Sequence, residues 1–170
     1  MGVWTTTPRT WVAGEVPTAT HFNENVRDFG RAFSDAWTSY TPTLTASTTN
    51  PTNWTQTGYY MQAGKLVIAK FKLTAGASMT AGSGTYYIAL PVTANTTIDY
   101  IEMGHASLFD SSGNVIAKFP VQLDNVNGAR CRIEYSATYP TGAITTVTNA
   151  APWTWAANDV IRGLIIYEAA

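Results

Sequence analysis

One change of hydrophobic period, near residue 38, constrains this chain more than any other feature. Upstream of it, Ala19, Phe22, Val26, Phe29, Phe33 and Ala36 recur at spacings of 3, 4, 3, 4 and 3. That rhythm places all six on one stripe of an α-helix, at the a and d positions of a heptad. From Tyr40 onward, apolar and polar residues alternate, the period of a strand with one face in a core. A helical pattern does not settle as a strand, nor the reverse. The chain therefore divides into residues 1–37 and residues 38–170.

In the second part, turn residues cut the alternation into short lengths. Residues 58–63 stop at Gly64-Lys65, and residues 66–73 run as a strand into a Gly/Ala/Ser-rich stretch, 75–84, read as a loop. Residues 85–90 are stopped by Pro91. Residues 98–109 and 115–123 flank Asp110-Ser111-Ser112-Gly113-Asn114, a hairpin turn. Residues 130–139, 144–148 and 160–167 complete a set of eight or nine strands at short, regular spacing. The expected fold is mainly β: an N-terminal arm and a single α-helix, then an antiparallel β-sandwich, jelly-roll-like.

The first part reads as an attachment segment. Residues 1–17 carry Trp4, Trp11, Val12 and Val16 with no regular period, broken by Pro8, Gly14 and Pro17. Such an arm cannot bury its tryptophans alone; it folds back on the domain or inserts into a neighbour. A helix is expected from about Thr18 to Trp37, with Thr18 or Thr20 capping its first free amides. Its apolar stripe has two explanations: a short coiled-coil stalk between identical chains, or a helix lying on a sheet of its own domain. Trp4, Trp11, Phe22, Val26, Phe29 and Phe33 are the candidate oligomerisation or docking residues.

Composition excludes several functions. Hydrophobic residues make up 45%, enough for a core, but charged residues only 12%, about half the usual share. Threonine, 27 residues of it, fills the polar quota and suits a pleated surface. Net charge is −1 and no basic stripe runs along the sequence, so nucleic acid is not expected as a direct partner. No apolar run has the length of a membrane span, and the N-terminus lacks the basic start and apolar stretch of a signal peptide. The expected product is made in a cytoplasm and stays soluble. Cys131 is the only cysteine, which rules out an intrachain disulfide; alternating with polar residues, it reads as a small buried hydrophobe.

No catalytic, cofactor or metal constellation emerges. His21 lies on the helix flank and His105 within a strand pattern. Ser107, His105 and Asp110 could be written as a triad, but nothing resembling a nucleophile elbow accompanies them. Asp124-Asn125-Val126-Asn127-Gly128 has Val at its third position and no glutamate at its twelfth, so it reads as a turn rather than a calcium loop. Acidic residues are too sparse and isolated to suggest the carboxylate pair of a glycosidase. Six Trp, nine Tyr and six Phe are the remaining signal. Trp54 in a Thr/Asn stretch, with Trp153 and Trp155 two apart, are candidate glycan-facing aromatics, against a core or subunit-contact role.

The segment from Thr10-Trp11-Val12-Ala13-Gly14-Glu15 through Thr18-Ala19 to Asn25-Val26-Arg27-Asp28 resembles the start of many bacteriophage minor tail, fibre and adhesin proteins, especially those of actinobacterial phages. Phe22-Asn23 stands where that group usually has Leu-Asn. Gly64-Lys65-Leu66-Val67, residues 82–92 and the ending from Pro152-Trp153-Thr154-Trp155 to Tyr167-Glu168-Ala169-Ala170 are similar to the same group. The resemblance implies a non-enzymatic virion component: a small tail or fibre protein, or a capsid-surface decoration. It implies a homotrimer anchored to other virion proteins by its N-terminal segment, with a host-surface glycan-binding module as the alternative.

Overall fold

A computed structural model describes residues 10, 12–23, 30, 37–98, 102–136 and 144–170. Trp4, Trp11, Val26, Phe29 and Phe33 lie outside the described residues, so of the docking stripe only its head is seen. That head is α1 (Ala19–Phe22), capped as its sequence predicts. The Thr18 hydroxyl accepts from the His21 amide at 3.3 Å, and the Thr18 amide donates to His21 Nδ1 at 3.3 Å. Two otherwise unpaired N–H groups are satisfied in this way.

Ten strands follow among the described residues: β1 (Thr38–Tyr40), β2 (Leu44–Ala46), β3 (Thr52–Ala63), β4 (Leu66–Thr80), β5 (Tyr86–Ala89), β6 (Glu102–Asp110), β7 (Val115–Leu123), β8 (Arg130–Ser136), β9 (Ile144–Thr146) and β10 (Val160–Glu168). All pairings between them are antiparallel. They form a single hydrogen-bonded path in the order β1-β3-β4-β10-β6-β7-β8-β5-β2, with β9 on β8. The sheet curls into a half-barrel. This is the mainly antiparallel β chain that the period of two predicts, drawn as one curled sheet.

The path begins and ends with strands that are consecutive in sequence. Only Thr41, Pro42 and Thr43 separate β1 from β2, and four Cα–Cα steps extend to about 14 Å at most. The two rims are thereby tied to each other. Pro42 is fully buried at this corner, and the Thr43 amide bonds back to Thr41 at 2.9 Å.

Alternation sets the core. On β4, Val67, Ala69, Phe71, Leu73 and Ala75 point inward and are buried. Their register partners on β10, Tyr167, Ile165, Gly163 and Ile161, share that face. Ala106 and Leu108 on β6, Val121 and Leu123 on β7, Cys131 and Ile133 on β8, and Ile88 on β5 continue it. Each large aliphatic side chain buried here stabilises the fold by about 1.5–3 kcal/mol relative to exposure. The C-terminal strand sits between β4 and β6, so this core is complete only when the last residues of the chain are in place.

Residues 75–80, read as loop, and residues 52–57, the Thr/Asn stretch around Trp54, are strand. Residues 75–80 continue β4 and residues 52–57 open β3, because the two strands pair along their length: Thr55, Gln56 and Thr57 stand opposite Thr74, Leu73 and Lys72, Trp54 opposite Ala75 and Thr52 opposite Thr80. Pairing overrides the weak intrinsic preference of Gly, Ala and Ser. Between those last two pairs, residues 76–79 of β4 stand against Asn53 alone, whose φ is 58° and whose side-chain amide donates to the Ser78 carbonyl at 2.8 Å.

Candidate functional site: the outer face of the sheet

Of the candidate glycan-facing aromatics, Trp54 and Trp155 take the alternative core role and Trp153 packs against them. Trp54 and Trp155 are only 8% and 4% exposed. Their rings meet edge-on at 5.6 Å, and Trp155 also lies 5.6 Å from Trp153 and 6.1 Å from Tyr86. Trp155 Nε1 donates to the Thr148 carbonyl at 2.8 Å. Trp153 is partly buried against the same cluster. These rings close one end of the core; sequence misplaced Trp54 because its Thr/Asn neighbours read as loop.

The candidate chemical groups are likewise occupied structurally. Asp110 accepts from the Ser112 hydroxyl (2.7 Å) and from the amides of Ser112 (2.9 Å) and Gly113 (3.0 Å), pinning the β6–β7 hairpin. The Gly113 amide, followed by the Ser112 hydroxyl, holds its carboxyl below the usual carboxylate value. His105 instead faces Glu102, Nε2 to Oε1 at 3.4 Å, so Ser107, His105 and Asp110 do not assemble. Asp124 closes a turn, its carbonyl accepting from Asn127 at 2.9 Å and its carboxylate paired with Arg130. The Arg130 guanidinium lies 3.8 Å over the Tyr87 ring. Cys131 is buried among apolar residues, its Sγ 3.6 Å from the Ile88 carbonyl, and desolvation pushes its thiol up to about 12. Among the described residues, no group of three or more His, Cys, Asp or Glu could hold a metal ion.

Sequence reasoning missed Asp159. This fully buried carboxylate accepts from the Ser111 amide (2.9 Å), the Ser111 hydroxyl (3.0 Å) and the Ala156 amide (2.8 Å). It ties the β6–β7 hairpin to the loop before β10. The only sequence signal is its place beside Asn158, whose φ of 70° marks a turn.

The outer face of the sheet carries the unassigned chemistry. Register places Lys72 directly opposite Arg162, Arg162 opposite Ser107, and Ser107 opposite Lys118. Three cations therefore lie in one row across β4, β10, β6 and β7. The next row holds Tyr59, Lys70, Leu164 and His105. Lys70, Lys72, Lys118 and Arg162 are all exposed. The ion pairs among the described strands are Lys65–Glu168, His105–Glu102, Arg130–Asp124 and Arg132–Glu134, which leaves these four cations without a carboxylate. Lys70 packs instead on aromatic faces, 4.5 Å from the Trp37 ring centre and 5.8 Å from that of Tyr59.

Two shallow depressions adjoin on this face. One, of about 530 Å³, is bordered by His105, Ser107, Lys118, Arg162 and Leu164. The other, of about 310 Å³, is bordered by Thr57, Tyr59, Lys70 and Lys72. Beyond them Leu164 and Ile166, 51% and 49% exposed, continue with Ile68 opposite Ile166 as an apolar strip. No basic stripe was legible along the sequence because the cations come from strands far apart in the chain. No family model, curated protein or solved structure matches this chain.

Proposed function

We infer that this chain is a non-enzymatic structural component of a bacteriophage particle, a small tail, fibre or capsid-surface protein anchored by its N-terminal arm and helix. The observation that carries this reading is Phe22. It is the first large side chain of the 3-4 apolar stripe, in a helix capped by Thr18, yet it is 53% exposed, and no described residue of α1 is buried. A capped helix that turns the head of an apolar stripe to water offers another chain a surface to cover. The outer strip of Leu164, Ile166 and Ile68 is a second uncovered apolar surface. The resemblance of residues 10–28 to phage tail and fibre proteins supports the same reading, as does a threonine-clad β-domain suited to display.

In this account the curled sheet closes over its core as two walls of a jelly-roll-like sandwich. Copies gather as a homotrimer about their helices, and neighbouring virion proteins receive the arm. Replacing Phe29 and Phe33 together with Ser tests it. The variant should lose mass by light scattering and fail to enter particles, while its β-domain circular dichroism stays intact. Unchanged mass together with unchanged incorporation removes the physical support.

A further inference from the structure

We propose that the outer face of the sheet binds an acidic polysaccharide, with Lys72, Arg162 and Lys118 on its anionic groups and Tyr59 against a sugar ring. The argument begins with cost. Like charges directly opposite each other on adjacent strands destabilise a sheet, and Lys72 and Arg162 hold that relation across the β4–β10 ladder. A chain with only 10 Lys and Arg places four of them on this one face, and none of the four is ion-paired with a carboxylate among the described residues. Threonine would have fitted every one of these strand positions. The repulsion is relieved when an anion lies along the row.

Geometry then restricts the anion. Adjacent strands are about 4.8 Å apart, so the row from Lys72 through Arg162 to Lys118 extends for roughly three strand spacings, about 15 Å. That length suits a chain carrying several separated charges better than one compact ion. The depressions flanking the row are open and shallow, and hydroxyls of Thr57 and Ser107 line them. Tyr59 is exposed beside Lys70, and an aromatic ring flanked by cations and hydroxyls can offer both a flat apolar face and polar partners to a pyranose. The glycan-facing aromatic is thus Tyr59, on a face that Trp54, Trp153 and Trp155 do not reach.

Binding of the full chain to polygalacturonate, read by titration calorimetry at fixed ionic strength, tests the site. Polyglutamate of equal charge presents the same carboxylates without sugar, and single-stranded DNA presents phosphates with bases. The chain should bind polygalacturonate more tightly than either. Lys72→Thr/Arg162→Thr should weaken it by roughly tenfold or more, as expected for two lost charge-assisted contacts. Lys65→Thr, an exposed cation paired with Glu168 away from the row, should leave it unchanged. Tyr59→Ser should weaken polygalacturonate while leaving polyglutamate unaffected. No binding by the unmodified chain, an equal loss in the Lys65 variant, or polyglutamate or DNA bound as tightly as polygalacturonate would each overturn the proposal. The Lys72 and Arg162 changes should not alter the mass by light scattering, so this site and the virion anchor can fail separately.

Discussion

The ring of Phe71 fills the space that a side chain on Gly163 would need. The two residues stand opposite each other across β4 and β10, and a Cβ at Gly163 would lie 2.5 Å from Phe71 Cζ and 3.1 Å from the His105 carbonyl oxygen. Phe71 is among the buried residues of the core, so the absent side chain is what lets the sheet close over it.

Gly163→Ala should therefore destabilise the protein by about 1–3 kcal/mol, the usual cost of overpacking. Thermal or urea unfolding measures it. Adding Phe71→Leu should recover part of the loss, because the clash is with the ring tip; a double variant no better than the sum of the two single changes would refute that coupling.

Asp159→Ala removes the acceptor of three hydrogen bonds inside the fold. The stranded donors should cost about 2–4 kcal/mol, and limited proteolysis should open the Ser111–Asn114 turn first. Ser111→Ala should cost less, since the Ala156 amide keeps its partner. Equal losses from the two changes would mean that the carboxylate holds nothing beyond Ser111.

The alkaline limb of stability follows from burial. Desolvation pushes the Cys131 thiol from 9.0 up to about 12, and it raises the Tyr40, Tyr86 and Tyr167 phenols in the same direction. A group with a raised folded pKa contributes stability that is fully present below its unfolded pKa and lost as pH rises toward the folded value. Melting temperature should hold up to pH 9 and fall between 9 and 12, with Cys131→Ala softening the decline. In the native protein at neutral pH, thiol reagents should label Cys131 only at the rate of global opening. Prompt labelling would show that the core around it is not closed.

Asp110 governs the opposite limb with the opposite sign. Its carboxyl is held below the ordinary 3.8 by the Gly113 amide and then the Ser112 hydroxyl. That contribution is present above 3.8 and lost as pH falls through the lower folded value. Asp110→Asn should flatten the acid dependence, and a carbon-detected titration should place the Asp110 midpoint below that of a model carboxylate. A midpoint at the ordinary value would show that the hairpin hydrogen bonds are not formed.

Local chemistry was legible in the sequence wherever a residue's role is set by its chain neighbours. The period of two located β7 and β10 nearly to the residue, Asp110-Ser111-Ser112-Gly113-Asn114 announced its hairpin and Cys131 its burial, while the cap was narrowed to Thr18 or Thr20. What depends on strand order was not legible. Trp54 looked exposed because Thr and Asn surround it, yet pairing with Ala75 turns it inward. Lys70 and Lys72 share one strand, but Lys118 and Arg162 join them only because β10 inserts between β4 and β6. No spacing in a linear sequence encodes that insertion, so the outer face remained invisible while the core did not.

The corner at Pro42 has a consequence for how copies of this chain can meet. A sheet that ends in a long bare strand invites a further strand, and from there fibres without limit. Here the two terminal strands of the path are three residues long and are joined through the buried Pro42, so those strands themselves offer little to extend, although β1 covers only Gly58, Tyr59 and Tyr60 of β3. Contacts between copies at these terminal strands would then be made by side chains, which can be counted, saturated and stopped.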